Sequence, residues 1–208
     1  MRQIIHKTRR WIFGVLCVSI GLYPIIYLLI DVNFGLLLTK PLELLSNQIW
    51  NIGFYGHISL GGLALLVGWT QFSAQLRTRS IKLHRVIGKI YVLAVMISGV
   101  CGIYIAQFAT GGLSNVIGFS LLGLFWLSTT FLAYQTVRRG KIVEHQNYMI
   151  YSYALCFSAV TLRIWLPLLT SLIGDFNTAY LIVGWLCWVP NLMVAYYMIH
   201  RKKIIAVA

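Results

Sequence analysis

Apolar runs of about twenty residues recur along the whole chain. Each is long enough, at 1.5 Å of helix rise per residue, to cross the ~30 Å hydrocarbon layer of a bilayer. Six are predicted to span, at about 11–30, 50–73, 86–108, 115–136, 147–169 and 179–199. Inside a bilayer every backbone N–H and C=O has to be satisfied within the protein, so runs of this length fold as helices. The expected fold is therefore all-α: a polytopic integral membrane helical bundle with six transmembrane helices, forming a single membrane domain over residues 1–208. With 59% of 208 residues hydrophobic and 10% charged, nothing is left over for a soluble domain.

A formal net charge of +13 would suit a nucleic-acid binder, so the position of the charges has to decide. An even number of spans puts both termini on one side. That side then holds 15 of the 17 basic residues, among them Arg2, Lys7, Arg9, Arg10, Arg77, Arg79, Lys82, Arg85, Lys89, Arg138, Arg139, Lys141, Arg201, Lys202 and Lys203. Asp31, Glu43 and Asp175 fall on the other. By the positive-inside rule the termini and the 74–85 and 137–144 loops are cytoplasmic, and the basicity is an orientation signal that meets anionic lipid, not nucleic acid. The expected location is the bacterial inner membrane. The first apolar run, from Trp11 to about Ile30, exceeds the core of a cleaved signal peptide and reads as a span.

Between the first two spans, DVNFGLLLTKPLELLSNQ (31–48) is too apolar for a solvated loop. Pro41 is placed to start a short helix whose Leu42, Leu44 and Leu45 lie in the outer headgroup region, as a lid or as a passive interfacial segment. The other outer turns, near 109–114 and 170–178, are short, so consecutive helices should be antiparallel neighbours. Cys17, Cys101, Cys156 and Cys187 all fall inside spans without metal-ligand spacing and read as packing residues.

The fifth span opens with a histidine and nearly ends with an arginine. His145, Met149, Ser152, Cys156, Ala159 and Arg163 form one helical stripe, with its two ends roughly 27 Å apart and one near each membrane surface. On the cytoplasmic side QLRTRSIKLH (75–84) and QTVRRGKIVEH (135–145) each run from a glutamine through basic residues to a histidine that opens a span. Duplication and the shared composition of basic loops both account for this; a duplication would bring His84 and His145 to matching depth.

GHISLGGLALLVGWTQFSAQLR, then LHRVIGKIYV, then EHQNYMIYSYAL ending in TLR, resembles a family of bacterial predicted membrane proteins known as domain of unknown function 2306. The resemblance covers roughly residues 50–165. Its most specific part is the His-Arg-x-x-Gly-x-x-Tyr run at His84, Arg85, Gly88 and Tyr91, and the chain departs from the family pattern at Gln146, Tyr148 and Tyr151. It implies membership and topology, without an established activity.

The second span places His57, Gly61, Ala64, Gly68, Gln71 and Gln75 on one stripe. The third places His84, Gly88, Tyr91, Val95, Gly99 and Gly102 on another. Two uses compete: close helix packing through small residues, or room beneath a histidine for a flat cofactor such as a porphyrin. A b-type haem between His84 and His145 would set its propionates near Arg77, Arg79, Arg85, Lys89 and Arg138. His57 and Arg163 should share an outer depth. With no Asp or Glu inside any span, Arg163 either snorkels to headgroups or faces an anionic or carbonyl-bearing ligand.

The missing carboxylates disfavour a proton-coupled cation transporter. The absence of a Ser–His–carboxylate set, a phosphate loop or an HExxH helix disfavours a hydrolase. In the last span Trp185, Trp188, Pro190 and Asn191 read as belt, kink and interhelical hydrogen bond, with Asn191 also a cavity-lining candidate beside Gln71, Gln75 and Tyr91. The functional expectation is a b-type haem or quinone-linked redox membrane protein. His84 and His145 would be the iron ligands, assisted by Arg85, and His57 with Arg163 would form an outer ligand site. The alternative is a non-enzymatic assembly factor or a carrier for an anionic small molecule or lipid.

Overall fold

The computed structural model describes residues 2–29 and 35–207, and these are helical almost throughout. Asp31 lies outside the described residues, as do the side chains of Arg2, Lys7, Arg9, Arg10, Lys202 and Lys203. The helices are α1 (Arg2–Leu22), α2 (Pro24–Leu29), α3 (Leu42–Leu45), α4 (Gln48–Gly68), α5 (Ala74–Arg79), α6 (Ile81–Ala106), α7 (Gly112–Arg138), α8 (Ile142–Cys156), α9 (Ser158–Ile173), α10 (Phe176–Leu186) and α11 (Val189–Val207). Five stretches are long and apolar enough to cross a membrane: Gln48–Phe72, Ile81–Ala106, Gly112–Arg138, Ile142–Ile173 and Phe176–Arg201. A sixth apolar helix, Trp11–Tyr27, is shorter. The helices begin earlier than the apolar runs at 81 and 142 because a helix does not stop where the hydrocarbon stops; its first turn carries the basic residues into the headgroup layer.

Glycine contacts give the register. Gly53 faces Tyr104, Gly56 faces Cys101, Gly61 faces Ser98, Gly68 faces Tyr91 and Gln71 faces Gly88, so residue numbers fall on α6 as they rise on α4. Gly99 meets Leu127 and Gly123 meets Ile103, which makes α6 and α7 antiparallel as well. Gly21 meets Gly62 and Leu66 while Gly14 meets Trp69, so α1 runs against α4. The bundle is an up-and-down one, as the short connections imply. It packs inversely to a soluble protein: on α6 the buried face is Tyr91, Ala94, Val95, Ser98 and Gly99, whereas Ile90, Leu93, Ile97 and Val100 point outward. Lipid tails are as apolar as leucine, so the interior is chosen for close approach and hydrogen bonding.

Helix ends are capped by side chains where the chain turns. Asn47 Oδ1 accepts from the backbone N–H groups of Ile49 (2.9 Å) and Trp50 (3.1 Å), Ser80 caps α6, and Asp175 Oδ2 accepts from the Thr178 N–H at 2.8 Å. The α7–α8 turn needs a left-handed residue and has Gly140 there, at φ 74°. Pro41 starts α3 as expected. Leu44 and Leu45 pack towards Tyr27, Trp50 and Phe54, while Leu42 is exposed. The connection is strapped down by Lys40 Nζ, which donates to the Phe108 carbonyl (2.5 Å) and to Thr110 Oγ1 (3.0 Å).

Two spans are interrupted. The fifth breaks at Phe157 and the sixth at Cys187–Trp188, and the breaks face each other. Thr161 Oγ1 donates to the Cys187 carbonyl at 2.5 Å. Asn191 Nδ2 lies 3.2 Å from the Ala154 carbonyl, 3.2 Å from Thr161 Oγ1 and 3.0 Å from the Cys187 carbonyl. The interhelical hydrogen bond expected of Asn191 is present, and it serves to satisfy carbonyls at the breaks.

Candidate functional site: a histidine–arginine pair and a basic-end pocket

Two clusters collect the polar residues that the sequence singles out. The first lies in the half of the bundle away from the basic loops. His57 sits on α4 with its Nδ1 2.9 Å from the Ser98 carbonyl of α6, and Ser98 Oγ donates back to the His57 carbonyl at 2.9 Å. A carbonyl only accepts, so Nδ1 carries the proton and Nε2 keeps its lone pair. The ring rests against Gly102, where a Cβ would stand 2.8 Å from Nδ1; this glycine makes room for an imidazole. The Arg163 charge reaches the His57 ring as well as Tyr23 and Tyr27.

Arg163 is set deeper than the sequence reading had it. The fifth span continues to Ile173, so the arginine lies roughly 15 Å along the axis from that end instead of beside it. Its Nη1 donates to the Ala159 carbonyl at 2.9 Å, back along α9 and away from the near membrane face. This is the direction opposite to snorkelling. The guanidinium carbon stands 4.5 Å from the Tyr23 ring centre, a cation–π contact that composition alone could not have revealed. Among the described residues the one ion pair is Lys141–Glu144, at 3.0 Å, so no carboxylate balances Arg163. Pro167, four residues on, has no N–H to give, and the Arg163 carbonyl loses its helical partner.

The second cluster lies at the basic end. His84 and His145 each occupy the first turn of a helix, α6 and α8, and are close enough to act on each other electrostatically. His145 Nδ1 is anchored on the Ala133 carbonyl at 2.8 Å, whereas the buried Nδ1 of His84 has no hydrogen-bond partner among the described residues. Gln71 is buried, with its Oε1 in the space beside Gly88, and Arg77 Nη1 donates to the Gln71 carbonyl at 3.1 Å. Arg85 is exposed and acts on His84 through space only. Gln75 is exposed too and pairs with Arg79 outside the cluster. Arg79, Lys89 and Arg138 point outward. Among the described residues no three of His, Cys, Asp and Glu converge; two imidazoles are what a haem iron takes.

Between the clusters runs a buried polar layer. Tyr91 Oη lies 2.7 Å from Ser152 Oγ, which lies 2.6 Å from Thr130 Oγ1, and Thr130 donates to the Trp126 carbonyl at 2.7 Å. Tyr153 Oη donates to the Leu65 carbonyl at 3.0 Å and lies 3.1 Å from Cys17 Sγ. Tyr91 and Tyr153 both lean on Gly68, which explains a glycine at that place. Tyr91 is thus a core residue of the helix contacts, and Ser152 and Thr130, scattered singly in the sequence, complete its hydrogen-bond chain, while Ser98 pairs with His57.

All of this defines a polytopic, all-helical membrane protein with an arginine turned into its interior. The family model described as Predicted membrane protein (DUF2306) matches residues 54–199, and the chain belongs to that family. The match extends the expected 50–165 through the last span and takes in both clusters except Tyr23 and Tyr27. No curated protein and no solved structure matches the chain.

Proposed function

We propose that the protein binds a lipid-soluble quinone at the His57–Arg163 pair and serves a quinone-linked redox system. The observation that carries this reading is Arg163: a guanidinium turned into the bundle, without a carboxylate and with one hydrogen bond among the described residues. A donor so placed asks for an acceptor oxygen. His57 Nε2, an acceptor by its tautomer, asks for an O–H. The two forms of a quinone supply both, the carbonyl for Arg163 and the quinol hydroxyl for His57. A simple anion would satisfy the arginine and repel the imidazole lone pair. The reading takes the basic end as the cytoplasmic face of a bacterial inner membrane.

The test is extraction of detergent-purified protein and quantification of quinone by its ultraviolet absorbance. Near-stoichiometric quinone in wild type, with a loss of about tenfold in Arg163→Gln, is expected from a charge-assisted hydrogen bond. Equal quinone in both proteins sinks the proposal, and an acidic lipid or metabolite in its place turns the site into a carrier's. A b-type haem on His84 and His145 is the second reading. The observation favouring it is the Ala133 carbonyl on His145 Nδ1, which orients a ligating imidazole and leaves Nε2 for iron. A dithionite-reduced visible spectrum decides it, through sharp haem bands that either vanish in His145→Ala or are missing from wild type.

A further inference from the structure

The basic-end cluster contains polar groups that neither reading uses. Gln71 is only 8% exposed, yet its Nε2 has no partner among the described residues. The buried Nδ1 of His84 has none among them either. The two belong together. The Gln71 amide lies over Gly88, and His84 is one turn earlier on the same face of α6, ~5.4 Å along the axis. Unpaired buried donors are costly, and most of a protein's are satisfied. His145 shows what satisfaction looks like at this level of the bundle, with its Nδ1 on a backbone carbonyl. For His84 and Gln71 no such oxygen is found among the described residues.

The charge around them is of one sign. Arg77 grips the Gln71 carbonyl, and its charge, with that of Arg85, acts on His84. From α8 the carboxylate of Glu144 is exposed and engaged with Lys141. We infer that this cluster binds an oxyanion, a phosphate group whose oxygens accept from Gln71 Nε2 and His84 Nδ1 under the charge of Arg77. Two oxygens of one phosphate suit two donors a helical turn apart. The source is a phospholipid head group of the adjoining leaflet or free phosphate; the chemistry is shared. His84 Nε2 stays free in this arrangement, so the inference does not depend on the haem reading, and it involves neither His57 nor Arg163.

The experiment purifies the full chain in dodecyl maltoside, which contains no phosphate, and follows thermal unfolding in three arms: alone, with inorganic phosphate, and with phosphatidylglycerol added to the micelles. Stabilisation by phosphatidylglycerol only assigns the site to a lipid head. Stabilisation by inorganic phosphate as well assigns it to a free anion. In both cases the concentration needed should rise about tenfold in Gln71→Leu, which removes the donor at similar volume, and in Arg77→Gln, an exposed position that is safe for folding. The exposed control Lys82→Gln should leave the response unchanged. The inference is overturned if neither arm stabilises wild type, or if Lys82→Gln weakens the response as much as Gln71→Leu and Arg77→Gln do, which is the signature of diffuse surface charge. A single ordered water bridging Gln71 and His84 in a high-resolution structure with phosphate present overturns it too.

Discussion

Ser152 should matter more than the larger residue it touches. Tyr91, Ser152 and Thr130 form a chain with Ser152 in the middle, at 2.7 and 2.6 Å from its neighbours. Tyr91→Phe removes one hydroxyl at the end of the chain; Ser152 keeps Thr130, and Thr130 keeps the Trp126 carbonyl. The loss is one hydrogen bond between membrane helices, about 0.6 kcal/mol and at most about 1.7 kcal/mol. Ser152→Ala removes the middle. It leaves Tyr91 Oη buried, where no water can take over, at about 1–3 kcal/mol for the orphaned hydroxyl on top of the lost bond. Ser152→Ala is therefore expected to cost about 2–3 kcal/mol, at least twice Tyr91→Phe. The double variant should recover much of the difference, since no orphan remains. Reversible unfolding in mixed micelles measures all three. If Tyr91→Phe costs as much as Ser152→Ala, or the double variant is simply additive, the chain is not coupled as its geometry requires.

Three further outcomes follow. Gly102→Ala puts a methyl 2.8 Å from His57 Nδ1 and must push the ring off the Ser98 carbonyl, so bound quinone should fall with Arg163 untouched; unchanged quinone content would separate His57 from the ligand. Asn191→Leu should cost about 1–2 kcal/mol by leaving carbonyls at both interruptions short of a donor, read by unfolding in micelles. The hydrogen bonds from Thr178 hold the Asp175 carboxyl below the usual carboxylate range. The cap is therefore complete above an ordinary aspartate pKa of about 3.9 and is lost as pH falls through the lower folded value. Amide exchange at Thr178, corrected for its intrinsic pH dependence, should show protection dropping only in that acid window; Asp175→Asn should lose the step.

The spans and their alternation were legible because burial in lipid leaves one backbone solution and a coarse apolar count finds it. That His57 and Arg163 lie in the same half of the bundle was legible too, since the second and fifth spans travel in opposite directions. The interruption at Phe157 was not: phenylalanine carries no helix-breaking signal, and the break is held by Thr161 and Asn191 from further along the chain. Glycines beneath the histidines were ambiguous by nature. The structure uses Gly99 against Leu127, Gly102 against His57 and Gly88 against Gln71, choices that depend on which neighbour arrives. Gln71 and Gln75 share a stripe in sequence but part company because Gln71 falls in a short 3-10 segment, Trp69–Phe72, and Gln75 in the separate helix α5 that follows. Tyr23 lies at the kink between α1 and α2, where no periodicity points to an arginine 140 residues away.

The facing interruptions make spans five and six a pair of jointed rods with their joints at one level. Thr161 and Asn191 donate to carbonyls at that level beside the backbone hydrogen bonds, so a rotation about it trades those side-chain contacts without unwinding either half. His145 rides on one segment of the fifth span and Arg163 on the other. The Ala133 carbonyl ties the histidine's segment to α7, so a tilt of the arginine's segment leaves that anchor in place.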